Sequence, residues 1–228
     1  MNVIELKNIS KIYNPDTIPV RAVNNLSLQI EQGEFTAIVG PSGCGKTTLL
    51  NMMGGLDPCT QGSVTISGVA ISTLNESELT DFRLKNIGFV FQAYNLIPVL
   101  TARENIEFIM VLQKEDPKVI GDRVDNLLKR MGITEQKDRR PSELSGGQQQ
   151  RVAVARALAS HPKFILADEP TANLDSEATA GLLEIMAQMN KDEAVTFVFS
   201  THDQRVIDKA KRVITLNDGA IVSDEIHL

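Results

Sequence analysis

Apolar and polar positions follow three successive patterns along the chain. The first third carries short alternating or wholly apolar runs, which are typical of strands. These runs are Val3–Leu6, Leu26–Ile30, Phe35–Val39, Ser63–Ile66 and Ile87–Phe91. Apolar positions then recur at helical spacing over 104–113, 119–131 and 148–159. Strand-like runs return at 163–167, 196–200 and 212–216, with a helix predicted over 176–190. The pattern predicts a β-rich start, a helical insert and an α/β finish.

The predicted strand Phe35–Val39 leads into a glycine-rich turn and then a helix. Positions Gly40 to Thr47 match the phosphate-binding loop pattern at every fixed position. Backbone N–H groups and the positive end of a helix dipole meet at such a turn, so it suits a polyphosphate. Lys46 is predicted to bind the outer phosphates, and the Thr47 hydroxyl to ligate Mg²⁺. The residues predicted to contact the nucleotide here are Gly40, Ser42, Gly43, Cys44, Gly45, Lys46, Thr47 and Thr48.

Two carboxylates follow the apolar run Phe164–Ala167. Beside a phosphate loop, Asp168 is predicted to hold Mg²⁺, directly or through its water. Glu169 is predicted to orient or deprotonate the attacking water. A solvated acid pair at an ordinary strand end is the alternative.

A second helix start also favours an anion. Ser145 is a good N-cap for the helix predicted over 148–159, and Gly146 and Gly147 leave its first N–H groups accessible. An ordinary Ser-capped helix explains Ser145 but not the two glycines, because glycine in a first turn costs helix stability. The sequence therefore predicts a second anion site.

Composition limits the number of domains, the possible partners and the expected cellular compartment. A length of 228 residues suits one domain or a domain with an inserted lobe, and the net charge of −6 argues against DNA or RNA as the main partner. No apolar run approaches the ~18–20 residues that span a bilayer, and the N-terminus lacks the pattern of a signal peptide. Cys44 and Cys59 make no metal or disulfide framework, so a reducing cytosol is expected.

The phosphate loop, Leu-Ser-Gly-Gly-Gln at 144–148 and the run 164–169, in this order, resemble the ATP-binding subunit of an ATP-binding cassette (ABC) transporter. The resemblance covers essentially the whole chain. It implies an α/β fold: a P-loop NTPase (RecA-like) core with an antiparallel β subdomain and an inserted α-helical subdomain. We expect one ABC ATPase domain over 1–228. Its nucleotide-binding core and β subdomain would occupy 1–92 and 161–228, and the helical subdomain with the signature motif would occupy 93–160.

The resemblance also implies roles for isolated residues. Gln92 matches the Q-loop glutamine, expected at the nucleotide and its Mg²⁺. His202 matches the switch histidine, so it joins Glu169 and Lys46 as a predicted catalytic residue. Tyr13 matches the aromatic residue that stacks on adenine, although it could simply pack. Asp175 matches the D-loop aspartate, although it could merely cap the helix that starts at Ser176.

In this family two subunits face each other head to tail, and each ATP lies between the phosphate loop of one and the signature of the other. We therefore expect an ATP-dependent homodimer in which Ser145, Gly146, Gly147 and Gln148 contact the partner's ATP. The expected partner is an integral-membrane permease in a separate chain, which places this subunit in the cytoplasm, on the cytoplasmic face of the inner (plasma) membrane.

The surface for that permease is expected along 93–100 with Phe108, Ile109 and Met110, unless these side chains are core of the helical lobe. Strings such as 55–58 and 89–98 resemble the bacterial branch that serves lipoprotein-release, macrolide-exporter and cell-division permeases. The chain ends soon after its last predicted strand, so the C-terminal regulatory domain of many importer ATPases is expected to be absent.

Two other functions remain open at this point. A soluble ABC ATPase without a permease is the first, but translation members carry two cassettes and repair members a long coiled coil. A P-loop kinase or a nucleotide-regulated binding module is the second. The signature motif argues against a kinase, and Glu169 argues against a module that only binds nucleotide.

Overall fold

The computed structural model describes residues 1–227, which form ten strands and seven α-helices. The strands are β1 (Asn2–Tyr13), β2 (Val20–Glu31), β3 (Phe35–Val39), β4 (Gln61–Ile66), β5 (Val69–Ala70), β6 (Ile87–Val90), β7 (Phe164–Asp168), β8 (Thr196–Ser200), β9 (Arg212–Asn217) and β10 (Ala220–Ile226). The helices are α1 (Lys46–Met53), α2 (Glu76–Asn86), α3 (Ala102–Leu112), α4 (Pro117–Arg130), α5 (Gly146–Ala159), α6 (Ser176–Glu193) and α7 (Gln204–Lys209).

The strands form two sheets. A four-stranded antiparallel sheet has the order β2-β1-β4-β5, and a six-stranded sheet has the order β10-β9-β3-β8-β7-β6. In the larger sheet β10 pairs antiparallel with β9, while the other neighbours pair in parallel. The predicted α/β class with an antiparallel β subdomain is therefore confirmed.

Strands β3, β7 and β8 lie inside the larger sheet and are buried almost throughout. Their uninterrupted apolar sequences follow from this position, because both faces are covered: one by helices α3 to α6, the other by α1 and the antiparallel sheet. Phe35, Phe197 and Phe199 stack within the core, with the Phe35 and Phe199 ring centroids 4.7 Å apart. Since parallel strands end at the same edge, the residues that follow β3, β7 and β8 meet there.

Helices α3, α4 and α5 form the inserted helical part. Thr101 with Glu104 caps α3, and Ser145 with Gln148 caps α5, each through a reciprocal capping box. The buried faces of these helices join one hydrophobic core with β7, β8 and α6, so the insert packs on the sheet rather than standing apart. The proposed division at residues 92/93 and 160/161 stays a prediction.

The sequence analysis did not predict helices α2 and α7 or strand β10. Helix α2 has no buried residue, so it lacks the apolar stripe that reveals a helix, and only its Asn75–Glu78 capping box marks it. Helix α7 is a short turn and a half, and β10 is a largely exposed edge strand. Among residues 1–227, no helix combines the length and apolar character needed to cross a bilayer.

Candidate active site

The phosphate loop joins β3 to α1, and its backbone can be built only with glycine at two positions. Gly40 has φ 147°, and a Cβ there would lie 2.2 Å from the Leu216 carbonyl oxygen. Gly45 has φ 104°, and its Cβ would lie 2.1 Å from the Ala22 carbonyl oxygen. Both positions therefore need the left-handed freedom of glycine and its missing side chain.

The start of α1 leaves its amides for a ligand. Its N-cap is Gly45, so no side chain caps the first turn of the helix. Lys46 folds back over the loop and donates from Nζ to the carbonyl oxygens of Gly40, at 2.8 Å, and Pro41, at 3.0 Å. Exposed N–H groups, the helix dipole and one ammonium thus converge on one point, which is the arrangement that binds phosphate.

Asp168, at the end of β7, reaches the start of α1. Its carboxylate accepts a hydrogen bond from the Thr47 hydroxyl, with oxygen–oxygen distances of 3.1 and 3.0 Å. Two oxygen ligands therefore lie together beside the phosphate loop. Within residues 1–227 no cluster of three His, Cys, Asp and Glu side chains could hold a metal ion by itself. The donor set suits Mg²⁺, which commonly takes one or two protein oxygens and completes its shell with substrate phosphates and water.

Glu169 and His202 face each other across the ends of β7 and β8. Glu169 Oε1 lies 2.8 Å from His202 Nδ1, and Glu169 N–H donates to the Ser200 carbonyl at 2.9 Å. Glu169 has φ 46°, a left-handed conformation that is uncommon for glutamate. Glu169 lines the same cleft as the phosphate loop. The His202 side chain is 75% exposed and the Glu169 side chain 15%, so the histidine is free to meet a ligand.

One cleft of about 630 Å³ joins the phosphate loop to Glu169 and His202, whereas Asp168 is not part of its lining and contacts it through Thr47. The predicted residues that line it are Gly40, Ser42, Gly43, Gly45, Lys46, Thr47, Thr48, Gln92, Glu169 and His202. Ala22 and Ser200 line it as well and were not predicted. The Ser200 hydroxyl is buried and has no hydrogen-bond partner among the described residues. Sequence reasoning missed Ser200 because it reads as an ordinary last residue of a buried strand.

Three other predicted residues, Cys44, Gln92 and Tyr13, differ in how they lie relative to the cleft. Cys44 is 4% exposed and packs into the core, so only its backbone is near the loop surface. Gln92 lies on the cleft wall, and its carbonyl accepts a hydrogen bond from Asn173 Nδ2 at 3.0 Å. Tyr13 stands at the end of β1 and is 36% exposed. Burial, followed by the hydrogen bond to Asp57, raises the pKa of its phenol, and a hydrogen bond with Thr48 opposes this rise, so the ring lies near the start of α1.

The signature residues are not part of this cleft. Ser145 caps α5, with Gln148 N–H 3.3 Å from its hydroxyl, and the Gln148 side chain is held in the same capping box. The two glycines also have neighbours: a Cβ on Gly146 would lie 2.8 Å from the Tyr94 hydroxyl, and one on Gly147 would lie 3.1 Å from Ala178 Cβ. Asp175 is exposed and caps α6, accepting from Ala178 N–H at 2.8 Å.

The surface expected to face a permease is partly core. Met110 is 2% exposed and packs in the helical core, so its inclusion in that surface was wrong. It lies on the buried side of α3, where the helical period places it with Ile106. Phe108 is 37% exposed and lines a groove of about 250 Å³ together with Phe89, Phe91 and Ile97.

Comparison with known proteins indicates the same kind of site, because the chain is similar to ABC transporter ATP-binding proteins. The family model described as ABC transporter matches residues 23–172. An uncharacterized ABC transporter ATP-binding protein, MJ1508 of Methanocaldococcus jannaschii, is 45% identical over 220 residues, which are 96% of this chain and 98% of that protein. The macrolide export ATP-binding/permease protein MacB of Mannheimia succiniciproducens is 42% identical over 98% of this chain, but the match spans only 35% of MacB.

A solved structure is similar over the whole fold. The ATP-binding cassette MJ0796 of Methanocaldococcus jannaschii, described as a dimer in a post-hydrolysis state bound to ADP and Pi, superposes with a TM-score of 0.90. The two chains are 40% identical, and the match covers 98% of each. The chain belongs to the ABC transporter family, as one of its ATPase cassettes.

Proposed function

We propose that two copies of this chain close head to tail around two ATP molecules, hydrolyse them and so drive an integral-membrane permease. The position of the signature carries the proposal. Each chain has two helix N-termini suited to phosphate, at α1 and α5, yet the signature residues do not line the phosphate-loop cleft. A twofold-symmetric dimer places the α1 N-terminus of one copy and the α5 N-terminus of the other at the same ATP. The dimeric cassette MJ0796 supports this arrangement.

The residues divide the binding of ATP. Lys46 exchanges its two loop carbonyls for the outer phosphates, because a charged acceptor binds an ammonium more strongly than a carbonyl does. Loop residues Gly40 to Thr48 supply backbone and hydroxyl donors, and Tyr13 stacks on adenine. Ser145, Gly146, Gly147 and Gln148 of the second copy contact the terminal phosphate, with Asp175 beside them. In one chain Asp175 caps α6, so its part in binding rests on the resemblance alone.

Glu169 and His202 carry out the chemistry. An attacking water forms a bond to the terminal phosphorus and passes a proton to the Glu169 carboxylate, while the bond from that phosphorus to the bridging oxygen breaks and ADP leaves. His202 donates a hydrogen bond to the phosphoryl oxygens as their charge redistributes. The 2.8 Å contact between Glu169 and His202 places both side chains at one cleft before ATP binds.

Mg²⁺ would be held by Thr47, Asp168 and Gln92 together with phosphate oxygens. The Thr47–Asp168 hydrogen bond supports this, because both groups already point at one place. The ion would neutralise phosphate charge when bound. Gln92 follows β6 in the segment that also borders the Phe108 groove, so its side chain can report nucleotide state to that surface.

The groove lined by Phe89, Phe91, Ile97 and Phe108 is the proposed contact for the permease. An amphipathic helix would place its apolar face there. The permease is expected on a separate chain, with the subunit on the cytoplasmic face of the inner membrane. The relative MacB, an export ATP-binding/permease protein, favours the exporter-like branch. A soluble ABC ATPase that acts without a permease is the alternative, and it would leave the apolar groove around Phe108 without a partner.

The test uses the variant Glu169→Gln, which keeps the side-chain shape but removes the proton acceptor. With ATP and Mg²⁺ the variant should stop releasing phosphate and elute as a dimer in size-exclusion chromatography. Lys46→Ala is the matched control, because it weakens phosphate binding and should stay monomeric. A Glu169→Gln protein that remains monomeric at saturating ATP would contradict the proposal.

A further inference from the structure

Three side chains from two distant segments form a cluster beside the phosphate-loop helix. The Tyr13 hydroxyl donates to Asp57 Oδ2 at 2.5 Å, across 44 residues of sequence. The Lys11 ammonium bonds the other oxygen of the same carboxylate and also donates to the Pro58 carbonyl at 2.8 Å. Asp57 lies in the loop that follows α1, whereas Lys11 and Tyr13 end β1. The cluster therefore ties the end of β1, an inner strand of the antiparallel sheet, to the loop that follows the phosphate-loop helix.

The cluster is partly shielded from water. The Lys11 side chain is 12% exposed and that of Asp57 is 22% exposed. Burial raises the pKa of Asp57, but hydrogen bonds from Lys11 and Tyr13 outweigh it and leave that pKa below its ordinary value. The Asp57 carboxylate is therefore ionised at neutral pH and remains an acceptor for the Tyr13 phenol.

The orientation of the Tyr13 ring follows from these contacts. The phenol oxygen is held by Asp57, and the Lys11 ammonium lies over the ring, 5.0 Å from its centroid. A tyrosine at the exposed end of a strand would otherwise rotate about its side-chain bonds. One hydrogen bond at the tip of the side chain restricts both rotations. Tyr13 as a whole is 36% exposed, so the residue keeps a surface on which a planar group can stack.

We propose that Asp57 is a positioning residue for the purine base: it holds the Tyr13 ring in the orientation that adenine stacks on. This rests on the proposed function, which assigns Tyr13 to adenine. Ordering the ring before the ligand arrives removes part of the entropy cost of binding. Asp57 does not touch the phosphates in this arrangement, so its effect belongs to the base and not to the triphosphate.

A purely structural role makes a different prediction. If the Lys11–Asp57 pair only fastened the loop after α1 to β1, its loss would displace α1 and weaken every ligand of the phosphate loop. Affinity for a ligand with a base must therefore be compared with affinity for one without a base.

The experiment measures displacement of a fluorescent ADP analogue by ADP and by inorganic tripolyphosphate. Asp57→Ala should weaken ADP roughly 3- to 10-fold, the range for one lost hydrogen bond, and leave tripolyphosphate within about 2-fold. Tyr13→Phe is the second variant, because it keeps the ring and the Lys11–Asp57 pair and removes only the phenol contact. It should reproduce the loss for ADP, and the double variant should be no weaker than the weaker single variant.

Asp125→Asn is the matched control. Asp125 pairs with Arg103 on the surface of the helical part, and its loss should change neither affinity. Equal weakening of ADP and tripolyphosphate by Asp57→Ala would overturn the proposal in favour of the structural role.

Tyr13→Ala separates the two failures. If it weakens ADP while Asp57→Ala and Tyr13→Phe do not, adenine stacking stands and the role of Asp57 falls. If Tyr13→Ala has no effect on ADP, the assignment of Tyr13 to adenine is wrong, and the positioning proposal falls with it.

Discussion

Asp203 shows how one residue joins the two loops that carry Glu169 and His202. It follows His202 directly, and its carboxylate accepts hydrogen bonds from the Thr171 hydroxyl, at 2.9 Å, and from the Arg205 N–H, at 3.0 Å. The Arg205 guanidinium binds the same carboxylate at 2.7 Å. The hydrogen bond from the Arg205 side chain is the largest influence and lowers the pKa of Asp203 to about 2, although burial opposes it. Asp203 is therefore charged throughout the neutral range.

This depressed pKa predicts a pH-dependent contribution to stability. A group whose pKa is lower in the folded state stabilises the fold above its unfolded pKa and loses that effect as pH falls toward the folded value. Asp203→Asn keeps a good N-cap for α7 but removes the charge, so it should cost about 1 kcal/mol at pH 7 after discounting for the exposed arginine. Urea unfolding should give a constant difference from pH 7 to about 5 and a smaller one at pH 3.

The control is Asp208→Asn, which removes an exposed carboxylate from the same helix. A difference between wild type and Asp203→Asn that stays flat down to pH 3 would contradict the assignment of this pKa to the folded state.

At the scale of elements, the segment after Gln92 is held by the half-buried Arg156 and the buried Asn105 and not by secondary structure of its own. Arg156 of α5 donates to the Asn95 carbonyl at 2.6 Å and the Tyr94 carbonyl at 3.0 Å, and burial lowers its pKa. Asn105 of α3 is fully buried and bonds both the N–H and the carbonyl of Ile97. Two helices of the insert thus hold the connection that leads from the nucleotide cleft to the Phe108 groove.

Asn105→Ala should therefore destabilise the protein strongly. The substitution leaves the Ile97 N–H and the carbonyls of Leu100 and Thr101 without this partner inside the protein. The Thr101 carbonyl keeps the backbone N–H of residue 105, so the Ile97 N–H and the Leu100 carbonyl are the groups left unsatisfied. At about 1–3 kcal/mol for each such group, a loss of roughly 2–4 kcal/mol is expected in urea unfolding. Asn126→Ala, on the exposed face of α4, should stay within about 0.5 kcal/mol. Equal effects of the two variants would show that Asn105 is not a structural clamp.

At the scale of the whole molecule, ATP is expected to stabilise a folded dimer, because it would contact both copies of the chain. A ligand that binds only the native state raises stability by mass action, and a ligand that joins two chains makes that stability depend on protein concentration. ADP contacts only one copy in this scheme, because it lacks the phosphate that reaches the signature.

The melting temperature distinguishes a dimer joined by ATP from a single copy that binds ADP. For Glu169→Gln with Mg²⁺ and ATP, it should rise with protein concentration over a 100-fold range, as expected from mass action. With ADP it should be higher than without nucleotide but independent of protein concentration. A melting temperature that is independent of protein concentration in ATP would argue against a nucleotide-joined dimer. Lys46→Ala should respond to neither nucleotide.

Local sequence patterns predicted the fold class and several parts of the site. The phosphate loop, the Asp168–Glu169 pair and the Ser145 cap are short-range patterns, since φ/ψ preferences, capping and helix dipoles act over a few residues. The core strands β3, β7 and β8 were predicted for the same reason, because full burial leaves an uninterrupted apolar run. Together these patterns indicate the fold class and the family, both of which the structure and the relatives confirm.

Tertiary structure decided which of these pieces meet. The strand order β10-β9-β3-β8-β7-β6 brings Glu169 to His202 across 33 residues and Asp168 to Thr47 across 121. The packing of the antiparallel sheet and of the helices also brings Tyr13 to Asp57, buries Met110 and leaves the signature outside the cleft. Such contacts depend on strand pairing and on the packing of one element against another, and no window of neighbouring residues contains that information.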